Sequence, residues 1–249
     1  ATEKVFINTL LCDGCGDCAK QSNCIALTPE ETPLGRKRSV DQSACNGDFS
    51  CLEGFCPALV TLRGATLKSP LPVDLNSSQI PEPDVCAIDR DYNILVSGIG
   101  GTGVLTIGAV LGTAAQMEER RISTLDLAGL AQKNGAVACH IRIAEKDHPV
   151  HAARIGAGRT NLLLGGDLVT SSNQSILSRL NPETSQAIVN DHQTMTGTFM
   201  RNPDMDFPKA RLKDAISENS GPAFFDANHA ATRLLGDPIF ANMILLGFA

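Results

Sequence analysis

Aromatic side chains are almost missing from this chain of 249 residues: nine phenylalanines, one tyrosine and no tryptophan. Its cores must therefore be aliphatic, and a hydrophobic content of 43% is enough to build them. No apolar run approaches the roughly 18–20 residues that a helical membrane span requires. Positive charge is not in excess either. Lys and Arg number 21 against 27 Asp and Glu, a net charge of −6, which argues against nucleic acid as a partner. No signal peptide is visible, because residues 1–11 carry Glu3 and Lys4 around a short apolar run. These absences lead us to expect a soluble, cytoplasmic protein that engages neither nucleic acid nor membrane. The length allows two domains of ordinary size or one larger one.

Cysteine, by contrast, is abundant and clustered. Seven of nine lie in one stretch, at Cys12, Cys15, Cys18, Cys24, Cys45, Cys51 and Cys56, and Pro57 follows the last. The opening Cys-x2-Cys-x2-Cys run is the spacing by which a bacterial ferredoxin loop offers three thiolates to one iron–sulfur cube, with the fourth supplied by a distant Cys-Pro. Gly14, Gly16 and Asp17 suit the tight turns this needs. Cys12, Cys15, Cys18 and Cys56 then form one ligand set. The second half repeats the pattern with its middle cysteine replaced by Asp48, so that Cys24, Cys45, Asp48 and Cys51 form the other. A carboxylate holds iron less firmly than a thiolate, so this set predicts a [3Fe-4S] cluster or a [4Fe-4S] cluster with a labile corner. A rival arrangement uses Cys12, Cys15, Cys18 and Cys24 for a single cluster and leaves the later cysteines structural. Zinc also favours Cys-x2-Cys pairs, but three successive steps overfill one tetrahedral site. Disulfides fit poorly with an odd count and no secretory signal.

After the cysteines, residues 27–41 read as an insertion whose Arg36-Lys37-Arg38 run is a solvated loop or a docking patch for an acidic electron carrier. Residues 69–93 are rich in proline, with Pro70, Pro72, Pro81 and Pro83, and read as a linker. The chain divides into a small iron–sulfur domain (1–68), this linker (69–93) and an α/β domain (94–249). The last opens with an apolar strand at 94–98, then Gly98-Ile99-Gly100-Gly101-Thr102-Gly103 and a helix over 104–117. Strand, glycine turn and helix in this order can cradle a phosphate, so Gly98, Gly100, Gly101 and Gly103 are candidate cofactor-binding residues. Asp126, ending the next strand at 122–127, could hold a ribose. Strands at 136–143, 162–167 and 187–189 and a helix at 172–180 complete a parallel, doubly wound, Rossmann-like sheet. Gln132, Lys133 and Asn134 form a polar loop between strands. On these residues alone, a nucleotide (NAD or FAD) module with a zinc-stabilised N-terminal segment is the alternative reading.

The cysteine stretch, followed by Gly98-Ile-Gly-Gly-Thr-Gly-Val-Leu-Thr and Leu130-Ala-Gln-Lys-Asn-Gly-Ala-Val, resembles the bacterial fused indolepyruvate ferredoxin oxidoreductases, within the 2-oxoacid:ferredoxin oxidoreductase family. The resemblance covers nearly the whole chain, a ferredoxin-like segment and then the family's γ-type domain. It implies electron relay through iron–sulfur clusters to ferredoxin during oxidative decarboxylation of an aryl 2-oxoacid to an acyl-CoA. It also implies thiamine diphosphate, magnesium and CoA in the complete enzyme, with its thiamine diphosphate domains as partners and homo-oligomeric assembly. The family's glycine turn is not a dehydrogenase site. Its Gly-Asp-Gly…Asn thiamine motif is unmatched here, since Gly166-Asp167 is followed by Leu168 even though Asn190 comes later. No catalytic residue is assigned, and the uncapped apolar run at 240–249 suggests a piece of a larger enzyme. His140 is expected to be a satisfied core residue beside Cys139, and Cys86 and Cys139 to be free buried thiols. His148 and His151 should be solvent-exposed, and residues 118–121 a solvated helix end.

Overall fold

The computed structural model describes residues 3–65, 88, 91–129, 135–196, 202 and 205–249. The chain forms two compact units, Ala1–Lys68 with Thr194–Phe207, and Ser69–Gln193 with Pro208–Ala249. Almost all of the proline-rich stretch, Cys86, and Gln132, Lys133 and Asn134 lie outside the described residues.

The first unit repeats one plan twice. Strand β1 (Glu3–Ile7) leads into the first cysteine loop and helix α1 (Asp17–Ser22), and then β2 (Leu27–Thr32). Strand β3 (Gly35–Val40) leads into the second loop and a 3-10 turn (Ser50–Leu52), and then β4 (Leu59–Arg63). The outer strands pair antiparallel with Val5 opposite Thr61, and the inner ones with Leu27 opposite Val40. Residues 27–41 are thus an antiparallel hairpin and not a loop. Thr32 fastens its tip, its hydroxyl donating to the Gly35 carbonyl at 2.7 Å while accepting the Leu34 N–H at 3.2 Å. The expected solvated basic run is a strand, and period-2 alternation turns Arg38 inward with Val40. Arg38 is only 5% exposed. Arg36, on the same face, donates to Glu31 and to Asp206 at 2.5 and 2.9 Å, tying Asp206 to this hairpin.

Little apolar material holds this unit. Ile7, Ala19, Leu27 and Ala58 form its core, and Cys12, Cys18, Cys24, Cys51 and Cys56 pack against them. Domains this small rarely stand on an apolar core alone and generally add disulfides or metal. All seven of its cysteines are free thiols, so disulfides are not the staple.

The second unit is a six-stranded sheet. In chain order it contains β5 (Asp91–Ile99), α2 (Val104–Met117), β6 (Arg121–Ala128), β7 (Ala136–Ala144), β8 (Leu162–Gly165), α3 (Leu168–Ser171), α4 (Gln174–Leu177) and β9 (Gln186–Asn190). There follow α5 (Lys209–Ser217), β10 (Gly221–Phe225), α6 (Ala227–Leu235), a 3-10 turn (Pro238–Phe240) and α7 (Ala241–Phe248). The order is β10-β9-β8-β5-β7-β6. The sheet is mainly parallel: β5, β8, β9 and β10 run together, while β7 is antiparallel to both its neighbours. The reversal at β7 departs from the all-parallel expectation. Only seven residues join β6 to β7 (129–135), and a parallel crossover needs a dozen or more.

Helices cover both faces. Ile94 and Val96 of β5 point with Cys139, Ile141, Leu162 and Leu164 towards Val104 and Ile107 of α2 and Leu245 of α7. Leu95 and Ser97 point the other way, where the Ser97 hydroxyl meets that of Ser171 on α3 at 3.0 Å. The Cys139 thiol lies over Gly108, where an added Cβ would come within 2.7 Å of sulfur. Burial pushes that thiol's pKa up to about 12, so it is a neutral packing group. His140 is buried as expected, its Nδ1 accepting the Ile155 N–H at 3.2 Å.

Candidate metal centre

Both cysteine loops turn through left-handed residues at matching places. The first uses Gly14 (φ 81°) and Gly16 (φ 74°), the second Gly47 (φ 71°) and Phe49 (φ 58°). Gly14 has a second reason to be glycine, because a Cβ there would lie 2.2 Å from the Arg36 carbonyl oxygen. Phe49 holds a conformation that L side chains avoid. Short bonds then pin the ligand backbone. Cys12 N–H donates to the Asn8 carbonyl at 3.0 Å and Cys45 N–H to that of Asp41 at 3.1 Å. Ser22 bridges α1 to the next cysteine, donating to the Cys18 carbonyl at 2.7 Å and accepting the Cys24 N–H at 3.2 Å.

Burial raises the Cys18 thiol pKa to about 11, with Cys56 and Cys15 adding to the rise through their charge and Arg38 opposing it. Burial also raises Cys51, with Cys24, Cys45 and Asp48 as its charged neighbours. The charges felt at Cys18 and at Cys51 thus come from different cysteines. Among the described residues, no three His, Cys, Asp or Glu side chains are placed to hold one metal ion. An iron–sulfur cube takes its thiolates at separate corners. The donor chemistry fits such a cube: Cys12, Cys18, Cys24, Cys51 and Cys56 are half-buried on one small core, and Cys15 is exposed, on turns rich in left-handed residues.

Asp48 stands where Cys15 stands in the first loop. Its Oδ1 accepts the Ser50 N–H at 3.1 Å and the Ser50 hydroxyl at 2.9 Å. The Ser50 N–H in particular keeps this exposed carboxyl below its ordinary pKa.

The glycine turn of the second unit is closely packed. Gly100 N–H donates to the Gly135 carbonyl at 2.8 Å, and the Thr102 hydroxyl to that of Ile99 at 2.6 Å. Gly103 (φ 82°) caps α2, and a Cβ there would lie 2.0 Å from the Asn242 amide nitrogen. At Gly98 a Cβ would meet Val104 at 2.8 Å. Strand β7 separates Asp126 from β5, and the Asp126 carboxylate acts on the Cys139 thiol, so the ribose role does not follow from this topology. Asp167 and Asn190 are both engaged within the fold. Asp167 caps α3, accepting from the Thr170 N–H at 2.8 Å and its hydroxyl at 2.5 Å. Asn190 donates to the Gly166 carbonyl and to Asn228, and accepts the Ala227 N–H.

Two features escaped the sequence reading. Arg38 is buried beside the cysteine core, and only the alternation of 36, 38 and 40 hinted at it. His192 Nδ1 lies 3.2 Å from Asp226 at the carboxyl ends of β9 and β10, two residues too far apart in the chain for any local pattern to join them.

The chain is similar to oxidoreductase subunits among known proteins. The family model for pyruvate ferredoxin/flavodoxin oxidoreductases matches residues 93–249. The indolepyruvate oxidoreductase subunit IorB of Methanothermobacter thermautotrophicus is 29% identical over 160 residues, 64% of this chain and 78% of that protein. The IorB subunit of Thermococcus kodakarensis is 25% identical over 161 residues, covering 64% and 76% respectively. Among solved structures, pyruvate oxidoreductase subunit PORC of Thermotoga maritima superposes with a TM-score of 0.47 at 18% identity, covering 64% of this chain and 74% of that one. The matched span takes in nearly all of the six-stranded sheet, and by it this chain belongs to the pyruvate ferredoxin/flavodoxin oxidoreductase family.

Proposed function

We propose that this chain is the electron-relay part of a 2-oxoacid:ferredoxin oxidoreductase acting on an aryl 2-oxoacid, indolepyruvate by its likeness to the IorB subunits. In this reading residues 1–68 hold two iron–sulfur clusters, 69–93 link, and 94–249 form the γ-type domain. Cys12, Cys15, Cys18 and Cys56 would hold a [4Fe-4S] cluster. Cys24, Cys45 and Cys51 would hold the second, with Asp48 at its fourth corner. Each cluster, when bound, supplies a one-electron store at low potential. The chain's part is to set the thiolates at their corners, exclude water with the Ile7–Leu27 core and hold the loops rigid through Ser22, Asp41 and Asn8. The oxidative decarboxylation to acyl-CoA would need thiamine diphosphate, magnesium and CoA on other domains of the enzyme. Ferredoxin is the electron acceptor, and the setting is cytoplasmic, with the enzyme assembled as a homo-oligomer.

One observation carries this reading. Seven free thiols and Asp48 stand at ferredoxin spacing around a core too small to stand alone, with Cys15 and Cys56 acting on Cys18, and Cys24, Cys45 and Asp48 on Cys51. A direct test mixes chemically reduced, iron-loaded protein with oxidised ferredoxin under anaerobic conditions. Transfer should appear as bleaching of the ferredoxin, and should be lost in Cys18→Ser. Iron-loaded protein that accepts electrons but never passes them on would overturn the relay role.

A further inference from the structure

The six-stranded sheet has two edges, and only one of them is guarded. At one edge β10 is five residues long and carries Pro222, a residue that blunts an edge because it has no N–H. At the other, β6 runs eight residues, Arg121–Ala128, without proline or lysine. It pairs one-to-one with β7, from Arg121 opposite Ala144 to Ala128 opposite Val137, so no bulge turns it away. Among the described residues no strand pairs with its outer side. Such an edge is a template for a further strand. A groove of about 440 Å³ lies along its first half, lined by Gln116 of α2, Arg120, Arg121, Ile122, Ser123 and Val150.

The helix beside this edge is uncharged over its whole length, and its Leu105, Val110 and Met117 are 47%, 44% and 82% exposed. A Cβ added at Gly112 would meet Ile122 of β6 at 3.9 Å. The turn of α2 nearest the edge therefore presents small residues, Ala109, Gly112 and Thr113, over which another helix can come close.

We propose that a second copy of this chain covers this surface, β6 pairing antiparallel with its own counterpart about Ser123. The proposal rests on the homo-oligomeric assembly in the reading above and not on the electron relay. Facing pairs alternate in kind along an antiparallel ladder, so a two-fold axis through the sheet must pass between two like residues. Charge selects which. Centred on Ser123, Asp126 of each copy stands opposite Arg120 of the other, Ile122 opposite Thr124 and Arg121 opposite Leu125. Opposite charges on facing strands attract, and Glu145 already fixes the Arg120 guanidinium beside the edge. Centring on Ile122 would set Asp126 against Glu118, and centring on Thr124 would set it against Ile122. The same axis keeps both copies of α2 on one face of the joined sheet, side by side, where their uncharged surfaces meet. One patch used twice, with its own two charges satisfying each other, fits a like copy better than an unlike partner.

Sedimentation velocity of the full chain over a dilution series tests this, with hydrogen exchange of residues 120–126 at high and low concentration. The parent should be a dimer, and these amides should slow on association. Asp126→Lys and Arg120→Glu should each weaken the dimer about tenfold, and the double variant should recover most of that loss. Thr124→Lys, at an exposed position, should dissociate the dimer without touching either charge. Circular dichroism confirms that each variant folds. A monomeric parent would overturn the proposal and the homo-oligomeric assembly together. A dimer whose 120–126 amides exchange as fast as in the monomer, or which every variant leaves intact, would overturn the proposal alone and leave the edge to an unlike subunit. Iron and sulfide on the same samples report on the relay separately.

Discussion

Ser50 holds Asp48 from two sides, its N–H at 3.1 Å and its hydroxyl at 2.9 Å from the same carboxylate oxygen. In the first loop a turn of the same form is made two positions earlier, where Asp13 accepts the Cys15 N–H at 3.1 Å. In the second loop the turn-forming carboxylate itself stands at the ligand position, so that one side chain has two tasks.

Replacing Asp48 with cysteine should therefore separate those tasks. We expect Asp48→Cys to raise the iron content from about seven towards about eight per chain, the count for two complete cubes. Any three-iron EPR signal of the oxidised protein should disappear. Identical iron content and spectra in parent and variant would show that position 48 does not ligate.

His140 should make the second unit acid-sensitive. Burial first, and then the charges of Arg179 and Arg154, lower its pKa to about 4, whereas an exposed imidazole titrates near ~6.5. Between those values the unfolded chain binds a proton that the folded chain refuses. Stability is thus fully present above ~6.5 and falls as pH drops towards the folded value, by at most about 1.4 kcal/mol per pH unit. Denaturation midpoints measured from pH 7 to 4 should show this slope, and His140→Gln should flatten it.

Gly103 is needed for its backbone as much as for space. Its φ of 82° is a conformation that costs other residues roughly 1–2 kcal/mol, and Asn242 lies where a Cβ would go. Gly103→Ala should lower stability by about that amount in urea titrations. Adding Asn242→Ala should recover only the contact part. A neutral Gly103→Ala would mean that the turn is looser than described.

Gly108 and Cys139 form a matched pair across the interface of α2 and β7. Gly108→Ala should cost about 1–3 kcal/mol through overpacking against the sulfur, and Cys139→Ala should relieve it. The double variant should then lose less than the sum of the single losses. Strict additivity would contradict the contact.

How much of this was legible beforehand depends on the range of the interactions. The β5–glycine–α2 turn is local and apolar, and residues 91–117 fold much as their pattern predicts. The β2–β3 hairpin was missed because Thr28, Glu30, Arg36 and Ser39 mask the alternation that Leu27 and Val40 anchor at its open end. The antiparallel course of β7 was missed although the seven-residue connection before it already required a reversal. Arg36 to Asp206 spans 170 positions, a contact that no local pattern encodes. At the candidate metal centre, spacing alone proposed both ligand sets, because each thiolate of a cluster must meet a fixed corner within a short loop. Arg38 was hidden because it reads as one member of a polar charge run.

The measurement that tests the central claim most directly is iron and acid-labile sulfide on anaerobically purified protein, with its visible spectrum. The account predicts about seven or eight irons per chain, sulfide in proportion and the broad visible absorption of iron–sulfur clusters. Zinc without sulfide, or thiols that remain free in protein purified with iron present, would contradict it.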